Sequence, residues 1–242
     1  RPNLLVHDPD FPTAESLRRV TKSGVNGYGM KAAAEQLDNE GIDHILSILD
    51  CNDPRPVWFL AWGGSNTLAG AVMKVRNTRS TAQAEAFVSQ IRGYEIALQD
   101  EGFAYIAHHY PKTKLISSRV QWKGISKTTP QFNAWAESWG GDNSLFTHDW
   151  IKQNVQEAHG PMGACYPRAI YLWEGDTPAF LYLIPTGLGD PEHPAYGSWG
   201  GRFGVTPEPS VRSGTGNNTV NPLLDLQRDY ALYTDACDTW TQ

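Results

Sequence analysis

The 242-residue sequence lacks the short motifs that identify several large classes of enzyme. It has no GxSxG nucleophile elbow, no phosphate-binding P-loop, no GxGxxG dinucleotide motif and no HExxH zinc motif. Its three cysteines, Cys51, Cys165 and Cys237, are far apart in the sequence, so no clustered metal site or CxxC redox pair is expected. A serine hydrolase, an NTPase, a dinucleotide-dependent enzyme and a zincin are all disfavoured.

The sequence also has no excess of positive charge and no long apolar run. Its net charge is -6, whereas a nucleic-acid partner requires a basic face, so none is expected. No apolar run reaches the roughly 20 residues that span a bilayer, so no membrane partner is expected either. Aromatic residues, in contrast, are plentiful. The nine tryptophans and ten tyrosines are suited to core packing and also to stacking on sugar rings.

The stretch over residues 57–72, VWFLAWGGSNTLAGAV, predicts a strand followed by a helix. Its first six residues are an apolar run typical of a strand buried on both faces. Two glycines then permit a sharp turn, and Ser65 is a suitable N-cap for the helix that follows. Ligands of open α/β sheets bind at the carboxyl ends of strands, which is where Asn66 is expected. The alternative is that the glycine turn is only a tight connection.

Strand and helix patterns alternate along most of the chain. The predicted strands are residues 57–62, 94–98, 114–117 and 170–173. Helices are predicted at residues 14–20, 41–50, 67–75, 81–91, 100–109, 150–158 and 178–184. This alternation favours an α/β fold with a mainly parallel sheet flanked by helices. Residues 1–205 are interpreted as one domain, and residues 206–242, which show no strong pattern, as a linker or docked tail.

A second stretch, residues 171–202, carries candidate catalytic groups. Glu174 and Asp176 follow a predicted strand and precede a helix. Carboxylates at this position either cap the helix or coordinate a hard cation such as Ca²⁺. Glu192 and His193 lie in a glycine-rich loop, where a carboxylate beside an imidazole can exchange protons; the alternative is a solvated turn.

The segment WGGSNTLA at residues 62–69 resembles the strand-end Gly-Pro-Leu-Thr-Asn motif of nucleoside hydrolases. Further segments, spread over nearly the whole chain, are similar to the nucleoside-hydrolase-like DUF1593 family, whose members are sometimes labelled cellulose-binding proteins. These segments are YGM at 28–30, EG at 40–41, DPRP at 53–56, HGP at 159–161, EGDTP at 174–178, DPEHP at 190–194 and WGGR at 199–202.

The resemblance implies a Rossmann-like fold, a secreted or periplasmic location and a Ca²⁺-dependent sugar pocket. In nucleoside hydrolases an amino-terminal aspartate cluster and one late aspartate hold Ca²⁺, and the metal activates the attacking water. By this resemblance Asp176 is the late aspartate, and Asn66 is the motif asparagine near the metal. The aspartate cluster would lie upstream of Arg1, so the expectation is a companion N-terminal polypeptide, an incomplete sequence or lost activity.

Two functions follow from the resemblance and the residues. The first is hydrolysis of glycosidic or N-glycosidic bonds in a carbohydrate or nucleoside-like molecule, with Asp176 and Asn66 as metal ligands. Its catalytic candidates are Asp176, Glu174, His193 and Glu192, and its substrate-binding candidates are Trp62, Asn66, Trp173, Trp199 and Arg202. The second is an extracellular protein that binds cellulose or another polysaccharide without turnover, which the many tryptophans favour.

Overall fold

The computed structural model describes residues 2–51, 53–96, 98–118, 147–167, 176–187, 189–207 and 231–235. A five-stranded sheet of order β1-β2-β3-β5-β4 lies at its centre. The strands are Val57–Ala61 (β1), Ile91–Ile96 (β2), Lys114–Ser118 (β3), Phe203–Pro207 (β4) and Ala231–Asp235 (β5). β1, β2, β3 and β5 run parallel, and β4 pairs antiparallel with β5. The predicted α/β class with a mainly parallel sheet is confirmed.

Helices cover both faces of this sheet. Within the described residues the α-helices are Pro2–His7 (α1), Ala14–Val20 (α2), Gly29–Glu35 (α3), Glu40–Leu49 (α4), Asn66–Thr78 (α5), Thr81–Ser89 (α6), Gly102–His109 (α7), His148–Ile151 (α8), Gly160–Cys165 (α9) and Thr177–Leu183 (α10). A π-helical turn follows α8 at Lys152–Gln156, and a 3₁₀ turn lies at Pro194–Tyr196. None of the described helices combines the length and apolarity needed to cross a membrane.

Side-chain caps explain why several helices begin where they do. The Thr13 hydroxyl accepts a hydrogen bond from the backbone N–H of Ser16 and opens α2. Ser80 and Gln83 form a reciprocal capping box at the start of α6. Both starts were predicted from the sequence and are confirmed.

Alternate residues of the central strands pack on opposite faces of the sheet. On one face, helices α3 to α7 contribute to a large apolar core that includes Ile91, Phe103 and Leu115. On the other face, a smaller core holds Tyr94 and Tyr182, the latter from α10. This two-sided burial is what continuous apolar strands predict.

One strand prediction and one helix prediction need correction. The apolar run that forms β1 was expected to be buried on both faces, but all five of its residues are half-buried. β1 is the outermost strand of the sheet in the part of the chain that the structure describes, so no further strand pairs with its outer edge there. The helix predicted through Ile91 instead ends at Ser89, because Ile91 pairs in register with Val57 and begins β2.

The carboxyl-terminal residues contribute to the same sheet. β5 lies in the predicted tail and pairs with β3 through Ile116–Tyr233 and Ser117–Thr234. The predicted boundary between residues 205 and 206 falls inside β4. The assignment of residues 206–242 as a linker or docked tail stays a prediction.

Candidate functional site

The candidate site lies where β1 and β2 end at the carboxyl edge of the sheet. Ala61, the last residue of β1, pairs in register with Glu95 of β2. The connection after β1 therefore lies beside the connection after β2, which carries Asp100 and Glu101. Both acidic side chains are buried, with 2% and 4% of their surface exposed.

Asp100 joins the two connections. Its carboxylate accepts hydrogen bonds from the backbone N–H of Ser65 (3.1 Å), the Ser65 hydroxyl (3.1 Å), the backbone N–H of Asn66 (3.0 Å) and the backbone N–H of Gly102 (2.8 Å). Two of these donors lie at the amino terminus of α5, where a negative charge is favourable. Hydrogen bonds to a charged acceptor are also stronger than neutral ones.

Ser65 occupies the predicted N-cap position of α5, but its side chain does not cap that helix. Its hydroxyl donates to Asp100 and accepts from the backbone N–H of Phe103 at 3.0 Å, in the first turn of α7. Asp100 caps α5 in its place. The two connections thus cap each other's helices, a long-range arrangement that the local pattern did not predict.

Glycines allow the two connections to approach this closely. A Cβ atom at Gly64 would lie 2.1 Å from the Asp100 Oδ2 atom, and one at Gly102 would lie 2.5 Å from the Ser65 hydroxyl oxygen. Any side chain at either position would push the connections apart. The glycine turn is therefore required for the site to form and is more than a short connection.

Asn66 is fixed at this edge by the loop that precedes α3. Its side-chain N–H groups donate to the carbonyls of Gly27 (3.0 Å) and Gly29 (3.4 Å), and only 7% of the residue is exposed. Glu101 holds the same loop by accepting from the backbone N–H of Met30 at 3.0 Å. With both amide N–H groups engaged, the Asn66 Oδ1 atom is the part of this side chain that can accept a hydrogen bond from a ligand.

Exposed aromatic side chains belong to the same connections. Trp62, which directly follows β1, is 59% exposed, and Tyr28, between the two glycines bonded to Asn66, is 45% exposed. Trp199 lies in a separate turn after the 3₁₀ segment and is 55% exposed. Large exposed aromatics next to fixed polar groups are typical of binding surfaces.

The structure describes some of the other predicted site residues. Asp176 is half-buried and occupies the N-cap position of α10, which begins at Thr177. Arg202 is exposed, immediately before β4. Trp173 and Glu174 lie outside the described residues.

Glu192 and His193 lie at the opposite edge of the sheet from Asn66, so the structure does not bring these catalytic candidates together with it. The Glu192 carboxylate pairs with Arg92 Nε (3.0 Å) and Lys114 Nζ (2.7 Å), which sit near the amino-terminal ends of β2 and β3. β2 has six residues, each rising about 3.3 Å, so the two edges are separated by about 16 Å. Neither side chain can exchange protons with a sugar bound at Asn66.

The charges around Glu192 and His193 support a structural role for these two residues. Burial alone would raise the pKa of Glu192, but hydrogen bonds from Lys114 and Arg92 outweigh it and hold the pKa below its usual value. His193 bonds through Nδ1 to Asp190 at 2.7 Å and stacks on Tyr196, and the bond to His193 lowers the pKa of Asp190. The ion pairs of Glu192 attach the loop over residues 189–196 to the sheet, and the contacts of His193 lie within the loop.

A surface pocket with a volume of about 720 Å³ also lies at the amino-terminal edge. Two of its charged groups are paired with each other, because Arg79 forms two hydrogen bonds with Asp50 at 2.6 and 2.7 Å. The same guanidinium lies 5.2 Å from the centre of the Phe87 ring. The pocket is remote from Asn66, and its charged residues stabilise the ends of α4 and α5.

The described residues do not by themselves form a calcium site. Within the ranges that the structure describes, no group of three or more His, Cys, Asp or Glu side chains could hold a metal ion. Asp100 uses its oxygens for four hydrogen bonds, whereas Ca²⁺ takes six to eight oxygen ligands. The expected Ca²⁺, companion polypeptide and secreted or periplasmic location all stay predictions.

Sequence reasoning missed Asp100 and Glu101 as site residues. The available signal was an acidic pair directly after a predicted strand and before a glycine that opens a helix. That position predicts carboxylates at the carboxyl edge of a parallel sheet, the same argument that made Glu174 and Asp176 candidates.

Replacing Asp100 by Asn is expected to lower the free energy of unfolding by about 2–4 kcal/mol, because a buried set of charge-assisted bonds is lost. Urea denaturation measures the change. Asp38→Asn, at a fully exposed carboxylate, is the control and should stay within about 0.5 kcal/mol of the parent. Equal stability of the two variants would contradict the role given to Asp100.

Replacing Glu192 by Gln is expected to cost about 1 kcal/mol or less at neutral pH, since its ion pairs are partly exposed. Because the folded-state pKa is lowered, the contribution of Glu192 is present above its ordinary value of 4.5 and is lost as the pH falls through the lowered pKa. Urea denaturation of both proteins between pH 7 and pH 3 should show the difference shrinking below that value. A difference in unfolding free energy that grows towards acid pH would contradict the ion pair. The control is Glu85→Gln, at an exposed position on α6.

Comparison with known proteins connects this arrangement to a family. No functionally curated protein matches the chain. A solved structure of a nucleoside hydrolase-related hypothetical protein from Saccharophagus degradans, associated with carbohydrate metabolism, superposes with a TM-score of 0.70 at 35% identity. The match covers 99% of this chain and 52% of that one, so the chain spans about half the length of the relative. Residues 1–203 match the family described as cellulose-binding Sde182, nucleoside hydrolase-like domain. The resemblance found in the sequence is confirmed, and the chain belongs to the Sde182 nucleoside hydrolase-like domain family.

Proposed function

We propose that this domain binds the glucan chain of cellulose or a related polysaccharide at the carboxyl edge of its sheet. The observation that carries the proposal is the placement of Trp62, 59% exposed, in the same short connection as Asn66. That connection is held by the buried Asp100 carboxylate. An exposed indole on a fixed backbone is suited to a ligand with a flat, apolar face.

The chemistry of a sugar ring matches both parts of this surface. Its C–H face can stack on an indole, and its hydroxyl groups can donate to a fixed acceptor such as the Asn66 Oδ1 atom. Tyr28 lies between Gly27 and Gly29, whose carbonyls hold the Asn66 amide, and extends the aromatic surface. The cellulose-binding description of the family supports the same class of ligand.

Trp62→Ala and Trp199→Ala are each expected to weaken retention on cellulose by at least about five-fold, the usual cost of truncating an aromatic anchor. Depletion from solution by regenerated cellulose measures the affinity. The control is Tyr196→Ala, because Tyr196 is similarly exposed, at 61%, but stacks on His193 at the opposite edge. Equal loss in all three variants, or no retention of the parent protein on any glycan, would contradict the proposal.

A second candidate function is hydrolysis of a glycosidic or N-glycosidic bond at the same edge. The observation that favours it is the fixed Asn66 amide in a nucleoside hydrolase-like fold, with Oδ1 available to a ligand. In this function Asp176 would contribute a carboxylate, and Ca²⁺ would activate water if aspartates from outside this chain complete the site. The residues of this chain would bind and orient the sugar.

The hydrolase candidate predicts that Asn66→Ala lowers turnover of nucleosides or aryl glycosides in the presence of Ca²⁺ by about 10–100-fold. Asp176→Asn should lower both turnover and Ca²⁺ binding, and Asn154→Ala, at an exposed asparagine, should change neither. Product release is followed by chromatography. Turnover that is unaffected by Asn66→Ala and Asp176→Asn would contradict this function and leave polysaccharide binding in place.

A further inference from the structure

The turn that carries Trp199 is unusually well fixed for an exposed segment. Ser198 and Gly201 exchange two backbone hydrogen bonds, of 2.9 and 3.2 Å. The Ser198 hydroxyl accepts a third, from the backbone N–H of Gly200 at 3.0 Å. Ser198 is itself buried, while Trp199 at the tip is 55% exposed. A mobile surface loop would have few such contacts.

The backbone of this turn is in close contact with α10. A Cβ atom at Gly200 would lie 2.2 Å from the carbonyl oxygen of Pro178 and 2.5 Å from the backbone nitrogen of Tyr182. Because both neighbours are backbone atoms, no larger residue fits at Gly200. The turn therefore lies in close backbone contact with the helix.

The buried side chain of Tyr94 also holds the turn. The Tyr94 hydroxyl donates to the carbonyl oxygen of Gly200 at 2.7 Å. Tyr94 lies on the central strand β2, is fully buried, and packs against Tyr182 and Phe203 with ring centres 5.4 and 5.5 Å away. A phenylalanine would fill the same space in the core, so the hydroxyl adds a directed bond to the residue next to Trp199.

We propose that Tyr94 is a positioning residue whose hydroxyl fixes the Trp199 turn, so that the exposed indole is held ready to stack on a sugar ring. The inference rests on the proposed polysaccharide binding and extends it to a residue that has no contact with the ligand. Fixing a binding group in advance raises affinity, because less conformational freedom is lost on binding.

The test is a double-mutant cycle on glucan binding, with cellohexaose titrated calorimetrically. Tyr94→Phe is expected to weaken binding about five-fold, the effect of one lost hydrogen bond. In a Trp199→Ala background the same change should have no further effect, because Tyr94 acts through Trp199. A general loss of stability caused by Tyr94→Phe would weaken cellohexaose binding equally in both backgrounds.

Tyr182→Phe is the matched control. Its hydroxyl also bonds to a backbone carbonyl of the same segment, that of Pro191 at 2.9 Å, but away from the Trp199 turn. The affinity of Tyr182→Phe for cellohexaose should stay within two-fold of that of the parent protein, an allowance of about 0.4 kcal/mol. Binding by Tyr94→Phe at the parental affinity, or equal losses in Tyr94→Phe and Tyr182→Phe, would overturn the inference.

Hydrogen–deuterium exchange separates failure of this inference from failure of the proposed function. In the ligand-free protein, Tyr94→Phe should speed exchange of the Gly200 and Gly201 amides by about five-fold, since the lost bond stabilises the turn. Unchanged exchange would overturn the positioning role, whatever the glycan assay shows. If the parent protein binds no glycan but Tyr94→Phe still exchanges faster, the proposed binding function fails. The role of Tyr94 in fixing the turn would then still be supported.

Discussion

The buried carboxylate of Asp100 is the interaction on which the carboxyl edge of this domain depends. It links two connections that are 35 residues apart in the sequence and places its charge at the start of α5. The glycines at positions 64 and 102 leave the space that this link needs. Without it, the Ser65 hydroxyl would lose its acceptor and Asn66 would lose the backbone contact that sets its position.

The two edges of the sheet have different roles in this account. At the carboxyl edge, buried polar groups hold a loop system that exposes Trp62 and Tyr28. At the amino-terminal edge, charged side chains pair with one another, as in Glu192 with Arg92 and Lys114. Such pairs attach the loop over residues 189–196 to the sheet, and the same segment continues into the Trp199 turn. The ion pairs at the amino-terminal edge therefore anchor the segment that leads to the Trp199 turn.

Much of the fold could be predicted because it depends on local patterns. Short-range signatures identify the apolar runs, the caps Thr13 and Ser80, and the glycine turn after β1. The family resemblance also extended over nearly the whole chain. The position of Glu192 could not be predicted, because its partners are 100 and 78 residues away and no local pattern shows which edge a glycine-rich loop reaches. For Asp100 the local pattern indicated only the edge of the sheet, since its bonds to Ser65 and Asn66 appear only when two strands lie side by side. The half-burial of β1 also follows from its place in the sheet, which its composition does not reveal.

The most direct test of the central claim is a crystal structure of the domain with a bound cello-oligosaccharide. We expect a glucose ring stacked on Trp62, with a hydroxyl group within hydrogen-bonding distance of the Asn66 Oδ1 atom. A sugar bound instead in the pocket beside Asp50 and Phe87, at the opposite edge, would contradict it.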